Sequence, residues 1–444
     1  MSYRRMAGTG LEPMTDTRRP DASIGSVAPG LDVPSLGERV MGSLLASCQR
    51  LHPDRLASVV AEELAGLDMT DVCVYVVDLD QRLLIPLPGQ DLPDRPALEI
   101  NTTLAGRAFR TDQVIEGSAD ATGGDAASEM VDVRPAGNGD ARRLWVPLMD
   151  GADRVGLLAV TVPTVDELTR QRARHLAAIV AELVVTKSTY GDGLLQARRL
   201  REMDLAAELR WALLPQLTYV DDHVAISGLL EPAYEIAGDS FDYAVNGDSA
   251  HFAILDAMGH GLEASRMASL GVVSYRHSRR QGLGLLDTFR AMDEVISSQF
   301  GDERFVTGQL ASLTVSTGRL HWLNAGHPRP MLLRGGSHVM DLESETCLPM
   351  GLADVPTEVA EVSLEPGDCV LFFTDGVTEA RSPDGELFGR DRLGDLLVRA
   401  SASGEIPPEM MRRLCHAVLD HQSGRLQDDA TLLVLCWSGP VRES

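Results

Sequence analysis

Four short acidic patches, AGDSFDY, LDAMGHG, FTDGV and DDATLLV, hold the residues whose types and spacing could do chemistry: Asp239, Asp242, Asp256, Asp375, Asp428 and Asp429. In two of them an apolar run, HFAILD or VLFFTD, ends on the acid and a small residue follows, Ala257 or Gly376. A buried strand that ends this way delivers its carboxylate to the rim of a sheet. DDATLLV is the mirror case, with the acids just before the apolar run TLLVLCW. Carboxylates gathered at one rim repel one another and are costly to keep ionised unless hard divalent cations sit between them. The patches therefore read as a magnesium or manganese site.

Composition removes competing chemistries. Lys187 is the only lysine of the chain, in the polar stretch TKSTYGDG with no glycine-rich loop before it. Walker-type nucleotidases and protein kinases need a lysine on the ATP phosphates, so both are excluded, and Schiff-base chemistry with them. GxSxG, HExxH and GxGxxG are absent. A formal net charge of −25 repels nucleic-acid backbones and anionic membranes, so neither is expected as a partner. The Arg-rich runs at 170–174 and 198–201 read as solvated helix faces. Six cysteines form no CxxC pair or zinc set and read as thiols in a reducing compartment. With no secretory segment or membrane span in sight, a cytoplasmic location is expected.

The 444 residues, 44% hydrophobic, suffice for two or three cores. Residues 1–38, rich in Gly, Pro, Asp, Arg and Ser, are expected to be disordered. From there, helical and strand periods alternate: a helix over 40–67, strands at 72–77 and 83–87, a Gly/Asp-containing loop at 118–140, strands at 143–148 and 156–162, and a long helix over 165–187. This pattern is one α+β domain, 39–188, on an antiparallel sheet. A helical linker, 189–215, follows the break at Gly191–Gly193 and is expected to run as one helix from 194 to 214, stopping before Pro215. Leu200, Met203, Ala207 and Leu214 form one apolar stripe on it, and Leu205, Leu209 and Ala212 another; two faces call for two partners, and a homodimer through this helix is expected. In 216–438, many closely spaced strands with helices inserted in pairs imply two packed sheets with helices outside.

Two resemblances add to this reading. TTLAGRAFRTDQVIEG and RLWVPLMDGADRVGLLAVTV resemble the helix-then-strand segment and closing hairpin of GAF sensory domains; Cys73 and His175 are assigned no ligand. Farther on, the order AGDSFDY, LDAMGHG, NAGHP, LPMGL, FFTDGV, ELFG..RL and DDATLLV resembles the metal-dependent PPM serine/threonine phosphatases, in the bacterial SpoIIE/RsbU-like branch. ELRWALLPQ looks like that branch's regulatory helix. The fold implied is a GAF-like domain joined through the linker to an α-β-β-α sandwich.

The PPM resemblance implies two Mn2+ or Mg2+ ions, with Asp256 bridging them, Asp375 and Asp428 on one, Asp239 helping to hold the other through direct or water contacts, and the backbone carbonyl of Ala257 completing the shell. Ala257 stands where the commonest family form has glycine. Asp242, Asp429, Gly376 and His260 are expected to back these ligands; for Asp242 and Asp429 a backing or turn role is favoured over direct ligation. His260 could protonate a leaving oxygen or be a solvated turn histidine. NAGHP is expected to shape the site, and the phosphate-binding arginine is left unassigned. Two ions sharing a water explain a chain without an activated Ser or Cys. The resemblance further implies a phosphorylated STAS-type anti-anti-sigma protein as substrate, in sigma-factor control under the GAF-like domain. A catalytically silent sensor or scaffold, and a phosphatase of a small metabolite, are the alternatives.

Overall fold

In the computed structural model, residues 42–44, 46, 51–119, 141–232, 234, 238–301, 303–352, 358–424 and 426–440 are described. The N-terminal segment 1–38, the first turns of the expected helix at 40–67 and most of the loop at 118–140 lie outside them.

Alternating apolar residues make the first sheet. Its strands are β1 (Thr70–Val77), β2 (Leu83–Pro86), β3 (Leu98–Glu99), β4 (Ile115–Ser118), β5 (Arg142–Asp150) and β6 (Asp153–Val162). All pair antiparallel, in the order β3-β2-β1-β6-β5-β4. Val74, Val76, Val146 and Leu158 face α1 (Leu56–Ala65) and α3 (Glu167–Ser188), whereas Tyr75, Trp145 and Leu157 face α2 (Leu104–Thr111). That alternation is the period of two of a sheet buried on both sides.

The linker departs from the single helix expected over 194–214. It forms α4 (Gly193–Ala197) and α5 (Leu205–Leu213), and residues 198–204 between them are not helical. The backbone there finds partners outside itself: Leu79 donates to the Arg198 carbonyl at 3.3 Å, Leu200 to the Tyr234 hydroxyl at 3.0 Å and Asp204 to the Tyr234 carbonyl at 3.2 Å. Those bonds replace the i→i−4 ladder, which the apolar spacing alone could not reveal. The run 198–201 is likewise no solvated helix face, since Arg198 donates to the Val77 carbonyl, Arg199 pairs with Glu208 and Arg201 with Asp80.

Two further sheets pack face to face. One contains β9 (Asp239–Asn246), β10 (Ser249–Ala257), β11 (Val306–Thr314), β12 (Arg319–Ala325), β15 (Thr346–Cys347) and β16 (Ala360–Ser363); its order is β15-β12-β11-β10-β9, with β16 also on β12. The other contains β7 (Thr218–Val220), β8 (Val224–Glu231), β13 (Met331–Arg334), β14 (His338–Asp341), β17 (Cys369–Phe373) and β18 (Ala430–Trp437), ordered β14-β13-β17-β18-β8-β7. Phe241, Phe252 and Ile254 meet Val370, Phe372 and Leu433 between them. On the outside, Leu255 packs on α6 (Leu262–Arg280) and α7 (Leu285–Phe300), and Leu432 on α9 (Arg390–Ala402) and α10 (Pro407–His421). The one-turn helix α8 (Asp375–Thr378) follows β17.

Charged side chains join the first sheet to α10. Arg154 of β6 meets Glu409 at 3.1 Å, Arg412 donates to Asn101 at 2.8 Å, and His416 meets the Asp80 carbonyl at 3.0 Å. Arg154, Glu409 and Arg412 are each at most 6% exposed. Cys369 and Cys436, 67 residues apart, sit opposite one another on β17 and β18 and form a disulfide. The expectation of thiols fails at this pair because strand register, invisible in their separation, brings them together; Cys73, Cys347 and Cys415 are not disulfide-bonded. No helix among the described residues is long and apolar enough to cross a membrane.

Candidate metal centre

Pairing and strand direction bring the acids to one end of the two facing sheets. Asp239 opens β9 and lies in register with Asp256 near the end of β10. Across the gap, β17 runs out into Thr374 and Asp375 beside the start of β18, where Asp428 and Asp429 precede Ala430; the Thr374 amide donates to the Thr431 carbonyl at 3.1 Å. Because Phe241 and Ile254 face the space between the sheets, alternation turns Asp239 and Asp256 toward the same space.

Hydroxyls and amides of one sheet hold acids of the other. Thr374 Oγ1 and Thr431 Oγ1 each donate to Asp239 Oδ2 at 2.7 Å. Asp429 Oδ2 accepts from the Gly238 amide at 2.6 Å and the Asp239 amide at 3.2 Å, tying β18 to the start of β9. Asp428 Oδ1 accepts from the Asp429 amide at 2.9 Å. Thr307 Oγ1 stands 3.4 Å from Asp256 Oδ2 and 3.1 Å from His327 Nδ1. Gly376 is required where α8 lies against β18, since an added Cβ would collide with the Asp429 carbonyl oxygen.

Burial and like charge strain this set. Asp239, 2% exposed, is pushed well above the usual carboxylate range by burial, then by Asp256 and Asp429. Burial, followed by Asp375, Asp428 and Asp429, drives Asp256 up to about 7. Asp375 rises through burial and then Asp428. Asp429 is pushed up to about 6 by burial, against the pull of Arg210. Uncompensated carboxylates presenting only oxygen donors suit a hard divalent cation. Among the described residues, no group of three or more Asp, Glu, His or Cys side chains is drawn together tightly enough to hold an ion.

The remaining sequence candidates fall in different places. Asp242 is not brought to the acids: three residues beyond Asp239, it points to the opposite face of β9. There its Oδ1 accepts from Arg276 Nε at 3.0 Å and Nη2 at 2.6 Å, and its Oδ2 from Arg279 Nη1 at 2.7 Å. It fastens α6 to the sheet. His260 is exposed, on the loop after β10, between Gly259 and Gly261 with φ of 93° and 86°. Ala257 buries its side chain under α6, and its carbonyl oxygen lies against Gly238. Sequence reading missed Thr307, Thr374, Thr431, His327 and Arg210. Position did mark Thr374 and Thr431, one residue before Asp375 and two after Asp429, and His327 lies in NAGHP, expected to shape the site; nothing in the sequence marked Thr307 or Arg210.

Residues 246–438 match the family model described as Stage II sporulation protein E (SpoIIE); Asp256, Asp375 and Asp428 lie within the match and Asp239 before it. Phosphoserine phosphatase RsbU of Bacillus subtilis is 26% identical over 236 residues, covering 53% of this chain and 69% of the relative. Phosphoserine phosphatase RsbP of the same organism is 25% identical over 185 residues, covering 40% of this chain and 45% of the relative. The solved SiaA-PP2C domain of Pseudomonas aeruginosa is 21% identical, with a TM-score of 0.44, covering 52% of this chain and 94% of that domain. This chain spans less than half the length of RsbP, and its first sheet lies wholly before the family match. Residues 246–438 thus match the SpoIIE family, and the chain is similar to proteins named phosphoserine phosphatases.

Proposed function

We propose that the chain is a protein serine/threonine phosphatase that hydrolyses phosphoserine or phosphothreonine by direct attack of water. One observation carries the reading: Asp239, Asp256, Asp375 and Asp428 come from two sheets to one end, where burial and neighbouring carboxylates disfavour the charge of Asp239, Asp256 and Asp375. Asp239, Asp256, Asp375, Asp428 and the Ala257 carbonyl would hold two Mn2+ or Mg2+ ions. When bound, such ions make a water acidic enough to attack at neutral pH and neutralise the phosphoryl oxygens.

The chain's own residues do the rest. Thr374 and Thr431 fix the rotamer of Asp239, and Asp429 anchors the start of its strand. Support of this kind around a ligand typically governs metal affinity by 10- to 100-fold. His260, exposed beside Asp256, is the candidate proton donor to the leaving serine oxygen; the pH–rate profile of His260→Ala tests it, and unchanged limbs reject it.

The relatives named phosphoserine phosphatases support phosphoserine as the group cleaved; in this reading its carrier is a phosphorylated STAS-type anti-anti-sigma protein, as the sequence resemblance implies. The first domain, 39–188, acts in this reading as a GAF-like sensor that regulates the domain at 216–438 through the linker at 189–215, with a homodimer formed there. The test is Mn2+-dependent phosphate release from phosphorylated STAS proteins, with Asp256→Ala and Asp375→Ala as controls. Turnover that persists in both variants rejects the proposal.

A further inference from the structure

We propose that the groove between β14 and α9 docks an extended basic segment of the phosphoprotein substrate, which adds a strand to β14 and sets two basic side chains, at alternate positions, on Asp391 and Asp395. The proposal rests on the phosphatase reading above and names the feature of the substrate that the chain recognises.

β14 is an edge: among the described residues it pairs with β13 alone. The Leu342 amide donates to the Pro330 carbonyl at 2.9 Å, which makes Pro330 and Leu342 a hydrogen-bonded pair of the ladder. Alternation along an antiparallel pair then turns the amides and carbonyls of Val339 and Asp341 away from β13, toward the open edge. Side chains alternate as well, so that Met340 packs toward the space between the sheets and Val339 toward α9. The helix runs antiparallel to this edge. Arg390 Nη2 donates to Asp341 Oδ1 at 2.5 Å; farther along, a Cβ added at Gly394 would stand 3.5 Å from Val339, and one at Gly336 would stand 3.0 Å from Ser401 Oγ. Between strand and helix lies a groove of about 600 Å3, with Val339, Gly394 and Val398 among its walls.

Charge selects the occupant. Asp341, Asp391 and Asp395 line the groove and are exposed. Asp341 is paired with Arg390, whereas Asp391 and Asp395 have no ion-pair partner among the described residues. Four residues along a helix span about 6 Å, and alternate residues on one face of a strand are about 6.8 Å apart. A strand laid on β14 therefore offers every second side chain to α9 at nearly the spacing of the two acids, and backbone pairing supplies affinity while those side chains supply selection. A second copy of this chain is disfavoured as the occupant by its net charge of −25. The groove also leads toward the acid end, since the Arg390 guanidinium lies 5.0 Å from the centroid of the Phe373 ring, two residues before Asp375.

The test uses the full chain with Mn2+ and two synthetic phosphopeptides of one composition, each joining a short valine- and threonine-rich strand to phosphoserine through Gly/Ser linkers of several lengths. One carries its two lysines at alternate positions, the other side by side. The alternate form is expected to show kcat/KM about fivefold higher, as two exposed ion pairs allow. Asp391→Lys combined with Asp395→Lys should remove that preference and leave turnover of p-nitrophenyl phosphate unchanged. The unphosphorylated alternate peptide should slow amide exchange at Val339 and Asp341, which diffuse charge attraction would not do. Equal kcat/KM for the two peptides at every linker length, a preference that survives in the folded double variant, or unprotected Val339 and Asp341 amides overturns the proposal. If wild type hydrolyses neither the peptides nor p-nitrophenyl phosphate, the phosphatase reading falls and this substrate assignment with it; if it hydrolyses p-nitrophenyl phosphate without any preference between the peptides, only the docking groove falls.

Discussion

Replacing Asp256 with Asn should stabilise the protein when no metal is present and destabilise it when metal is bound. Burial and the neighbouring carboxylates raise Asp256 from an ordinary 3.8 to about 7. At about 1.4 kcal/mol per tenfold in acid strength, that amounts to a ceiling of roughly 4 kcal/mol. The repulsion is shared with Asp375, Asp428 and Asp429, so about half the ceiling, ~2 kcal/mol, is a reasonable expectation for one neutralisation. The sign follows from proton binding. A carboxyl whose folded-state pKa is raised binds more protons folded than unfolded between about 4 and 7, so stability falls as pH rises through that window and stays low above it. In EDTA at pH 8, Asp256→Asn should therefore raise the melting temperature of the phosphatase domain by roughly 4–8 °C. The gain should shrink steadily toward pH 5. Saturating Mn2+ should reverse the order, with wild type melting above the variant. Thermal denaturation followed by circular dichroism across this grid decides the matter. A variant that melts lower than wild type in EDTA at pH 8, or a gain that does not depend on pH, refutes the reasoning.

Other consequences are equally open to measurement. Thr431→Val removes one of the two hydroxyls on Asp239 Oδ2 and should weaken Mn2+ binding by about tenfold with the fold intact, as read by calorimetric titration. Gly376→Ala forces a Cβ into the Asp429 carbonyl; α8 must move off β18, and phosphate release should fall while far-UV circular dichroism is retained. Glu409→Ala leaves Arg154 and Arg412 buried without their carboxylate and should cost about 3–5 kcal/mol in chemical denaturation. Asp242→Ala strands Arg276 and Arg279 and should lower thermal stability equally with and without Mn2+, because Asp242 faces away from the acids.

Much of the site was legible because strand chemistry is local. HFAILD and VLFFTD end on acids; β10 carries Asp256 as its next-to-last residue, and β17 stops at Phe373, two residues before Asp375. Parity along a strand is equally readable and separates Asp242 from Asp239, three residues apart, onto opposite faces. What stayed hidden depends on partners distant in the chain. The apolar stripes from 194 to 214 satisfy a helix, yet the backbone at 198–204 bonds to Leu79 and Tyr234 instead. Cys369 and Cys436 meet only through the register of β17 and β18. Burial of Arg210 depends on how α5 lies over the end of β8, which no spacing within ELRWALLPQ discloses. His327 had been read only as part of a shaping turn; it is buried, pushed down to about 3 by that burial, and it reaches Thr307 beside Asp256. It is therefore neutral there, a fixed partner of the hydroxyl rather than a proton carrier at ordinary pH.

The most direct test is a crystal of the full chain soaked in Mn2+ and measured at the manganese absorption edge. The account predicts two anomalous peaks between the sheets, within bonding distance of Asp239, Asp256, Asp375 and Asp428. Peaks elsewhere, or none at these carboxylates in crystals whose dissolved protein still releases phosphate, would contradict it.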